Sequence, residues 1–264
     1  MKFLYRWISE HTGLCRALLF LLLACFTFLA ASYEHATLIG IYLVDLAVWF
    51  TVSRFIASAP GKLLQEPLRI LDQQCDPYPL LQEAQRQMSR SDATARHQLT
   101  ALTYALALHM VGETRKCADT LEKINIDRYP GTMPYTKFIY YNNLSDVLFA
   151  LDRTEEAQIW HRKAMQIYND LPENKAKQQL SETVQLSEAE ALYRSGSADE
   201  ALRKAARVKL TSSRNVMDAA VLAAKCHIAL EEPEKAREKL QYVIGKGNRL
   251  YIVEEAKALL ETIA

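Results

Sequence analysis

The sequence predicts an all-α fold in which two membrane-spanning helices precede a long series of paired helices. Three observations lead to this prediction. Two apolar runs with almost no charge occupy Leu14 to Ala59. After Pro60 the apolar residues recur with the period of a helix, and helix-start signals return about every 40 residues, a spacing found in helical-hairpin repeats.

The two apolar runs cover residues 14–32 and 37–58, after an N-terminal segment of residues 1–13. Each run is about 17–24 residues long, enough for a helix to cross the hydrocarbon core of a bilayer. A polar break at Ser32-Tyr33-Glu34-His35 separates them. We therefore expect residues 14–59 to form a transmembrane helical hairpin.

Basic residues flank both ends of this hairpin and are missing from the break between its helices. They are Lys2 and Arg6 before the first run and Arg16 at its start, and Arg54, Lys62 and Arg69 at or after the end of the second. Short loops rich in Lys and Arg stay in the cytoplasm during insertion. The pattern predicts a multi-pass protein of the inner or plasma membrane with both termini in the cytoplasm.

A cleaved signal peptide is the alternative for the first run, because Ala30-Ala31-Ser32 has the small residues of a cleavage site. The polar stretch before the apolar core is long for a signal peptide. Even after cleavage, the second run followed by Arg54 and Lys62 would stop transfer and leave the rest of the chain in the cytoplasm.

One carboxylate, Asp45, lies inside the second apolar run. Its position costs about 2.5–3.5 kcal/mol on insertion scales. Arg54 cannot pair with it along the helix, because a separation of nine residues puts the two side chains on opposite sides. Two interpretations stay open. Asp45 makes a polar contact to another membrane protein or a second copy of this chain, or it is protonated or outward-reaching and tolerated near the interface.

Residues 60–92 are predicted to form short juxtamembrane helices. Pro60-Gly61 is expected to end the second membrane helix, since proline removes a hydrogen-bond donor and glycine frees the backbone. Short helices over 63–72 and 78–89 follow, with a break at Cys75-Asp76-Pro77 in which Asp76 caps the second helix.

From Ala93 the chain is predicted to form helical hairpins. Four segments have the pattern of a second helix, each with one small residue in its first turn: Ala118, Ala157, Ala201 and Ala236, separated by 39, 44 and 35 residues. Asp152 to Glu155 and Ser197 to Glu200 have the spacing of capping boxes. Apolar stripes run along the preceding helices, so each pair would bury one face against the next pair.

These residues resemble the tetratricopeptide repeat (TPR) family. The clearest similarity spans Leu144 to Pro172 and includes Glu155-Glu156-Ala157 and Ala164. Further similarity covers Ala189, Leu192, Gly196, Glu200-Ala201 and Ala205, then Ala224 with Glu234-Lys235-Ala236, and Ala105-Leu106 with Ala118. The first-helix Trp and the Gly-Tyr pair of the family are missing, and Ser145 and Leu148 occupy those positions.

The resemblance implies a TPR-like α-solenoid of about four to five helical pairs over residues 93–247, with a C-terminal capping helix over 248–264. A generic helical bundle is the alternative fold. A membrane hairpin followed by repeats is an arrangement similar to that of membrane-anchored repeat proteins of bacteria.

In this family the first helix of each pair lines a concave surface on which ligands bind, so the resemblance also implies a partner-binding face. Its candidate residues are Tyr104, Asn142, Asn143, Asp146, Glu190, Tyr193 and Lys225. Some family members hold a carboxylate in a clamp. The mixture of Ala107, Asp146, Glu190 and Lys225 at the successive equivalent positions argues against that clamp. An ordinary solvated helix face is the alternative for each residue.

Composition and motifs exclude several function classes. Of 32 basic and 31 acidic residues, four and three lie before Pro60, which leaves 28 of each. This neutral balance argues against nucleic-acid binding, which needs a concentrated basic surface. The five cysteines are far apart and the six histidines lack ligand spacing, so no disulfide framework, metal or cofactor is expected. No phosphate-binding loop or known catalytic motif occurs.

These observations predict a scaffold or adaptor, without catalysis, that binds a protein or peptide partner at the cytosolic membrane surface. A structural subunit that assembles through the hairpin, as a homo-oligomer or within a larger membrane complex, is the main alternative. An enzyme is the third hypothesis.

Overall fold

The computed structural model describes residues 2–31, 38–89, 95–128 and 133–263. In these ranges the chain forms thirteen α-helices, one short 3-10 turn and no β-strand, which confirms the predicted all-α class. Two compact units make up the chain, residues 1–66 and 67–264. The polar break at 32–35 lies outside the described residues.

The first unit contains α1 (Lys2–Glu10), α2 (Thr12–Ala31) and most of α3 (Leu38–Gln74). Two of these helices, over Thr12–Ala30 and Gly40–Gln74, are long and apolar enough to cross a membrane, with mean hydropathies of 2.2 and 1.5. Only 6% and 11% of their apolar windows are buried, unlike the core helix of a soluble domain. Their exposed apolar surface suits contact with lipid.

Side chains of α2 meet α3 in antiparallel order, and side chains of α1 also contact α3. The rings of Phe20 and Trp49 lie 6.5 Å apart and those of Tyr5 and Phe55 lie 5.7 Å apart. Also in α1, Ile8 packs into a buried cluster with two residues of α3: Ile56 and Ala59. The two apolar helices α2 and α3 therefore contact each other at two described points, Phe20 with Trp49 and Thr27 with Asp45.

The prediction that α3 ends at Pro60-Gly61 is wrong, because this helix continues to Gln74 and contains the segment expected to be a separate helix over 63–72. A proline inside a helix removes one hydrogen bond and costs about 3 kcal/mol. Buried residues recur at helical spacing on both sides of Pro60, and their packing offsets that cost. They are Ile56, Ala59, Leu63, Pro67 and Leu71.

The break at Cys75-Asp76-Pro77 is confirmed. Cys75 has a φ of 56°, in the left-handed region, and ends α3. The Asp76 carboxylate then accepts a hydrogen bond of 3.1 Å from the backbone N–H of Tyr78, where α4 begins. The N-cap of α4 is Pro77, however, so the prediction that Asp76 is the N-cap is wrong by one residue, and Asp76 bonds the first turn from the position before the cap.

The second unit is a series of helices, most of which pack on the next helix in the chain. Their bounds are α4 Tyr78–Met88, α5 Ala95–Met110, α6 Thr114–Glu122, α7 Pro134–Ala150, α8 Thr154–Asp170, α9 Lys175–Arg194, α10 Ala198–Arg207, α11 Ser213–Ala229, α12 Pro233–Lys246 and α13 Ile252–Thr262. Helices α5–α6, α7–α8, α9–α10 and α11–α12 form hairpins, and the first helices also contact one another in the pairs α5–α7 and α9–α11. This local packing is typical of stacked helical hairpins.

The same turn joins the two helices of all four hairpins. One residue in each turn has a left-handed backbone, with φ of 84° at Gly112, 59° at Asp152, 89° at Gly196 and 57° at Glu231. The N–H of the next residue donates to the carbonyl five positions earlier at 2.8–2.9 Å: Glu113 to Leu108, Arg153 to Leu148, Ser197 to Leu192 and Glu232 to His227. These bonds define a Schellman motif, so the hairpin is a repeated structural unit.

The two predicted capping boxes are absent. Asp152 adopts the left-handed conformation that ends α7, so Arg153 becomes the N-cap of α8. Ser197 is the N-cap of α10, but its side chain forms no capping bond. In both places the backbone of the Schellman turn decides the geometry.

The turns also correct the alignment of the first hairpin. Four residues after each N-cap lies a buried small side chain, at most 1% exposed: Cys117, Ala157, Ala201 and Ala236. The predicted residue Ala118 is buried too, but it lies one position later. The equivalent residue is therefore Cys117, and the intervals between hairpins are 40, 44 and 35 residues.

Two serines that precede helices are expected to differ in their effect on stability. Ser212 caps α11, accepting from the N–H of Asn215 at 3.4 Å and donating to the carbonyl of Asp72 at 3.2 Å. Ser212→Ala should lower the free energy of unfolding by about 1 kcal/mol, whereas Ser197→Ala, the matched control without a capping bond, should change it by less than about 0.5 kcal/mol. Urea titrations of the full chain in mild detergent measure both, and equal losses would contradict the assignment.

The end of the second unit contacts its beginning. The N–H of Arg249 donates to the carbonyl of Cys75 at 3.2 Å, and the Asn248 amide donates to the carbonyl of Gln74 at 2.8 Å. The N–H of Tyr251, just before α13, donates to the carbonyl of Met110 at 3.0 Å. Since α13 also packs on α11 and α12, the helices of this unit surround an interior.

Candidate functional site on the inner face of the hairpins

Polar pairs recur four residues apart on the first helices of three successive hairpins. Residues at i and i+4 share one face of a helix. The pairs are Asn142 with Asp146 on α7 at 2.8 Å, Glu190 with Arg194 on α9 at 2.9 Å, and Arg214 with Asp218 on α11 at 3.3 Å. The repeated hairpin therefore places three polar pairs on equivalent helices.

These pairs form one electrostatic group with two further charged residues, Lys225 of α11 and Glu255 of α13, which are bonded at 2.7 Å. Asp146 interacts with Glu190 and Asp218, and Lys225 interacts with Glu190 and Glu255. We call the charged residues the inner charged cluster: Asp146, Glu190, Arg194, Arg214, Asp218, Lys225 and Glu255.

Burial and like charge change the titration of this cluster. Burial, reinforced by the charge of Glu190, raises the pKa of Asp146 to about 7. Burial likewise raises the pKa of Asp218, although Arg214 opposes the effect. Burial alone would lower the pKa of Lys225, but Glu190 and Glu255 outweigh it and raise the pKa. A carboxyl that titrates near neutral pH marks a candidate functional site.

His109 of α5 faces the same interior. Burial, together with the charge of Arg214, lowers the pKa of its imidazole. Its Nδ1 is buried and forms no hydrogen bond within the described part of the chain. The ring is therefore neutral at physiological pH, and it adds no positive charge to the cluster.

The structure brings three of the predicted partner-binding residues together. Asp146, Glu190 and Lys225 each lie six residues before the left-handed residue of their turn and belong to the inner charged cluster. The equivalent position in the first hairpin is Leu106, and not Ala107, because that hairpin is shifted by one residue.

The other predicted residues have different surroundings. Asn142 is 2% exposed, and its amide donates to Asp146. Asn143 is partly exposed, but its amide nitrogen is buried without a hydrogen-bond partner in the described residues. The rings of Tyr104 and Tyr193 pack against two apolar cores of the unit.

Sequence reasoning missed four members of the cluster: Arg194, Arg214, Asp218 and Glu255. The spacing of Glu190 to Arg194 and of Arg214 to Asp218 is a signal that could have identified three of them. Glu255 could not be found in this way, since it reaches Lys225 only because α13 folds back onto α11.

A half-open cavity of about 390 Å³ lies between α7, α8 and α9, next to the cluster member Arg194. Its lining residues are Phe149, Thr154, Gln158, His161, Arg162, Ala191, Arg194 and Ser195. The Arg194 guanidinium lies 4.5 Å from the centre of the Phe149 ring. Burial lowers the pKa of His161. The cavity thus has basic and polar walls with one aromatic side.

In the first unit, Asp45 has a partner that the sequence did not suggest. The Thr27 hydroxyl on α2 donates a hydrogen bond to Oδ2 of Asp45. The other carboxylate oxygen, Oδ1, is buried and has no partner in the part of the chain that the structure describes. Arg54 lies 5.4 Å from the centre of the Phe50 ring and makes no bond with Asp45. Oδ1 of Asp45 is therefore available for a further polar contact.

Replacing Asp146 by asparagine is expected to change how stability depends on pH. The pKa of Asp146 in the folded chain is about 7 and that of an unfolded Asp is about 4. The folded state therefore binds more protons between these values, and stability should fall as pH rises from about 4 to about 7. Asp146→Asn should remove this contribution and stabilise the chain at pH 8 by at least about 1.4 kcal/mol, the equivalent of one pKa unit.

Urea titrations of the full chain at pH 5, 6, 7 and 8 measure this effect. The control is Asp199→Asn, whose side chain is 62% exposed. A pH slope that is the same in wild type and Asp146→Asn would contradict the assignment.

Fold and site together define an all-α protein with two helices of membrane-spanning length and four repeated helical hairpins around a charged interior. In comparisons with known proteins, no family model, no curated protein and no solved structure matched this chain. Among the described residues, no group of three or more His, Cys, Asp or Glu side chains could hold a metal ion.

Proposed function

We propose that this chain is a membrane-anchored scaffold or adaptor whose TPR-like hairpins bind a protein or peptide partner at the cytosolic membrane surface. The observation that carries the proposal is the inner face of the hairpins, where equivalent positions on successive first helices hold Asp146, Glu190 and Lys225. Repeated helices that present polar side chains at a regular interval suit an extended partner.

The proposed TPR relationship rests on the repeated turn and on small residues. Four Schellman turns recur at similar intervals, and each second helix has Cys or Ala buried four residues after its N-cap. Small side chains at these positions let paired helices approach closely. The proposed superhelix then consists of four hairpins closed by α13.

The proposed orientation places both termini in the cytoplasm, with the chain crossing the inner or plasma membrane twice. Two helices have sufficient length and hydropathy, and the basic residues flank the hairpin on one side. A single cysteine introduced at Gly13, Ser58 or Ser195 of a cysteine-free variant tests this. Impermeant maleimide should label these positions only after the cells are opened.

Cross-linking in native membranes followed by mass spectrometry tests partner binding. We expect wild type to cross-link to one or few proteins, and Asn143→Ala combined with Glu190→Gln to reduce the yield at least about fivefold, since coupled polar contacts contribute jointly. The control is Glu234→Gln, whose side chain is 86% exposed. An identical set of cross-links in the double variant would contradict a binding role for the inner face.

A structural role in a larger membrane complex is the second candidate, favoured by Oδ1 of Asp45, which is buried and has no hydrogen-bond partner among the described residues. In this case Asp45→Leu should shift the protein to a smaller species on a native gel. Leu46→Ala, at an exposed neighbouring position, serves as the control. Unchanged mobility of Asp45→Leu would exclude assembly through this carboxylate.

A further inference from the structure

The inner charged cluster contains one acid, Asp146, that has no ion-pair partner among the described residues. Its three cations are each held by a carboxylate in an ion pair: Arg194 by Glu190, Lys225 by Glu255, and Arg214 by Asp218 and Asp72. Asp146 forms no ion pair with any described residue, and its hydrogen-bond donor is the neutral amide of Asn142, at 2.8 Å. A desolvated carboxylate without a cation is costly unless a ligand supplies one.

Arg194 is the cation of the cluster that acts on Asp146 most directly, yet it is held elsewhere. Its guanidinium is bonded to Glu190 at 2.9 Å and lies over the ring of Phe149 at 4.5 Å. Both contacts fix the planar group, so Arg194 does not form an ion pair with Asp146 in this structure.

A second observation comes from the amide that holds Asp146. Asn142 is 2% exposed, and its Oδ1 has no hydrogen-bond partner among the described residues. A buried acceptor without a donor is unfavourable. When Asp146 is ionised, its carboxylate and this oxygen present one negative charge and an unfilled acceptor side by side, which matches a positively charged group with several N–H donors.

Asn143 adds a hydrogen-bond donor beside these two acceptors. Its Nδ2 is a buried donor without a partner in the described residues. Asn143 lies three residues before Asp146 and hence on the same side of α7. A backbone carbonyl next to the cation would satisfy it, and a free amine has no such carbonyl.

Part of the inner charged cluster is accessible to solvent. The side chains of Asp218, Glu255 and Glu190 remain 37%, 35% and 29% exposed although protein surrounds them. Carboxylates outnumber cations in the cluster, so an acidic ligand would be repelled.

We propose that Asp146 and Asn142 bind the ammonium or guanidinium group of a lysine or arginine side chain in the partner, while Asn143 donates to a backbone carbonyl of the same segment. The inference rests on the proposed function, because it specifies which kind of partner binds at the inner face. That partner is a basic peptide segment.

The test uses the purified full chain in mild detergent and five mixtures of acetylated, amidated hexapeptides, each with one fixed residue: Lys, Arg, norleucine, Gln or Glu. Peptides retained by the immobilised protein are counted by mass spectrometry. Wild type should retain Lys and Arg mixtures about tenfold better than norleucine, as for a charge-assisted hydrogen bond. Asp146→Asn should abolish this preference, Asp146→Glu should restore part of it, and Asp199→Asn should leave it unchanged.

The outcomes separate the inference from the function on which it rests. Retention of all mixtures alike, or preference for Glu, would overturn the cation site and leave peptide binding intact. A Lys preference that survives in a folded Asp146→Asn protein would overturn the role of that residue. If wild type retains no peptide, the proposed binding function fails. Retention of radiolabelled spermidine without any peptide would overturn the assignment to a peptide side chain.

Discussion

Phe138→Ala is expected to lower the free energy of unfolding of the helical-hairpin unit by about 3–5 kcal/mol, the cost of removing a fully buried aromatic side chain. Phe138 is 0% exposed, and its ring lies 5.8 Å from that of Tyr168. It belongs to the largest described apolar core, which joins residues of α5 to α9. The cavity left by alanine would therefore weaken several hairpins together.

Urea titration of the full chain in mild detergent, followed by circular dichroism, measures this change. Met133→Ala is the matched control, since Met133 immediately precedes α7 but is 69% exposed. The control should change the free energy of unfolding by less than about 0.5 kcal/mol. Similar midpoints for the two variants would show that α7 does not form the core in the way described.

Gly112→Ala is expected to destabilise the chain by two separable effects. Gly112 has a φ of 84°, where a side chain costs about 1–2 kcal/mol. A Cβ at this position would also overlap the Tyr251 ring, with Cγ and Cε2 only 2.7 and 2.8 Å away. Relieving this overlap should cost about 1–3 kcal/mol more and disturb the contact between α13 and the first hairpin.

Gly196→Ala isolates the backbone effect. Gly196 occupies the equivalent position in the third hairpin, with a φ of 89°, and a Cβ there would meet no atom within 4 Å. Its loss of stability should therefore be about 1–2 kcal/mol and clearly smaller than that of Gly112→Ala.

A double variant tests the role of the ring. Gly112→Ala with Tyr251→Ala should recover the part of the loss that comes from overlap, which a double-mutant cycle measures directly. If both glycine variants lose the same stability, or if Tyr251→Ala gives no recovery, the described contact between the two ends of the unit is wrong.

Much of the fold could be predicted because it depends on residues close together in the chain. The period of apolar residues indicated helices, and a helix break at Cys75-Asp76-Pro77 followed from the residues there. The i and i+4 pairs of the inner face were likewise present in the sequence. Interactions of this range need no knowledge of distant elements.

Other features were predicted incorrectly because local signals compete with packing. Pro60 is a strong helix-breaking signal, yet the buried stripe through Leu63 and Leu71 keeps α3 continuous. Asp152 and Glu155 have the spacing of a capping box, but Asp152 adopts a left-handed conformation. It therefore ends α7 and does not cap α8. At Pro60, tertiary contacts outweighed the tendency of proline to break a helix. At Asp152, the backbone of the turn outweighed the tendency of aspartate to cap one.

The sequence by itself determined the all-α class, the two long apolar helices and the identity of Asp146, Glu190 and Lys225 as polar residues on first helices. Only the tertiary structure decided that α13 lies against α11, that Asn248 bonds Gln74 across 174 residues, and that Asp146 forms no ion pair with another described residue. The physical reason is range. Helix periodicity is a property of neighbouring residues, whereas burial and charge balance depend on which distant segments share one interior.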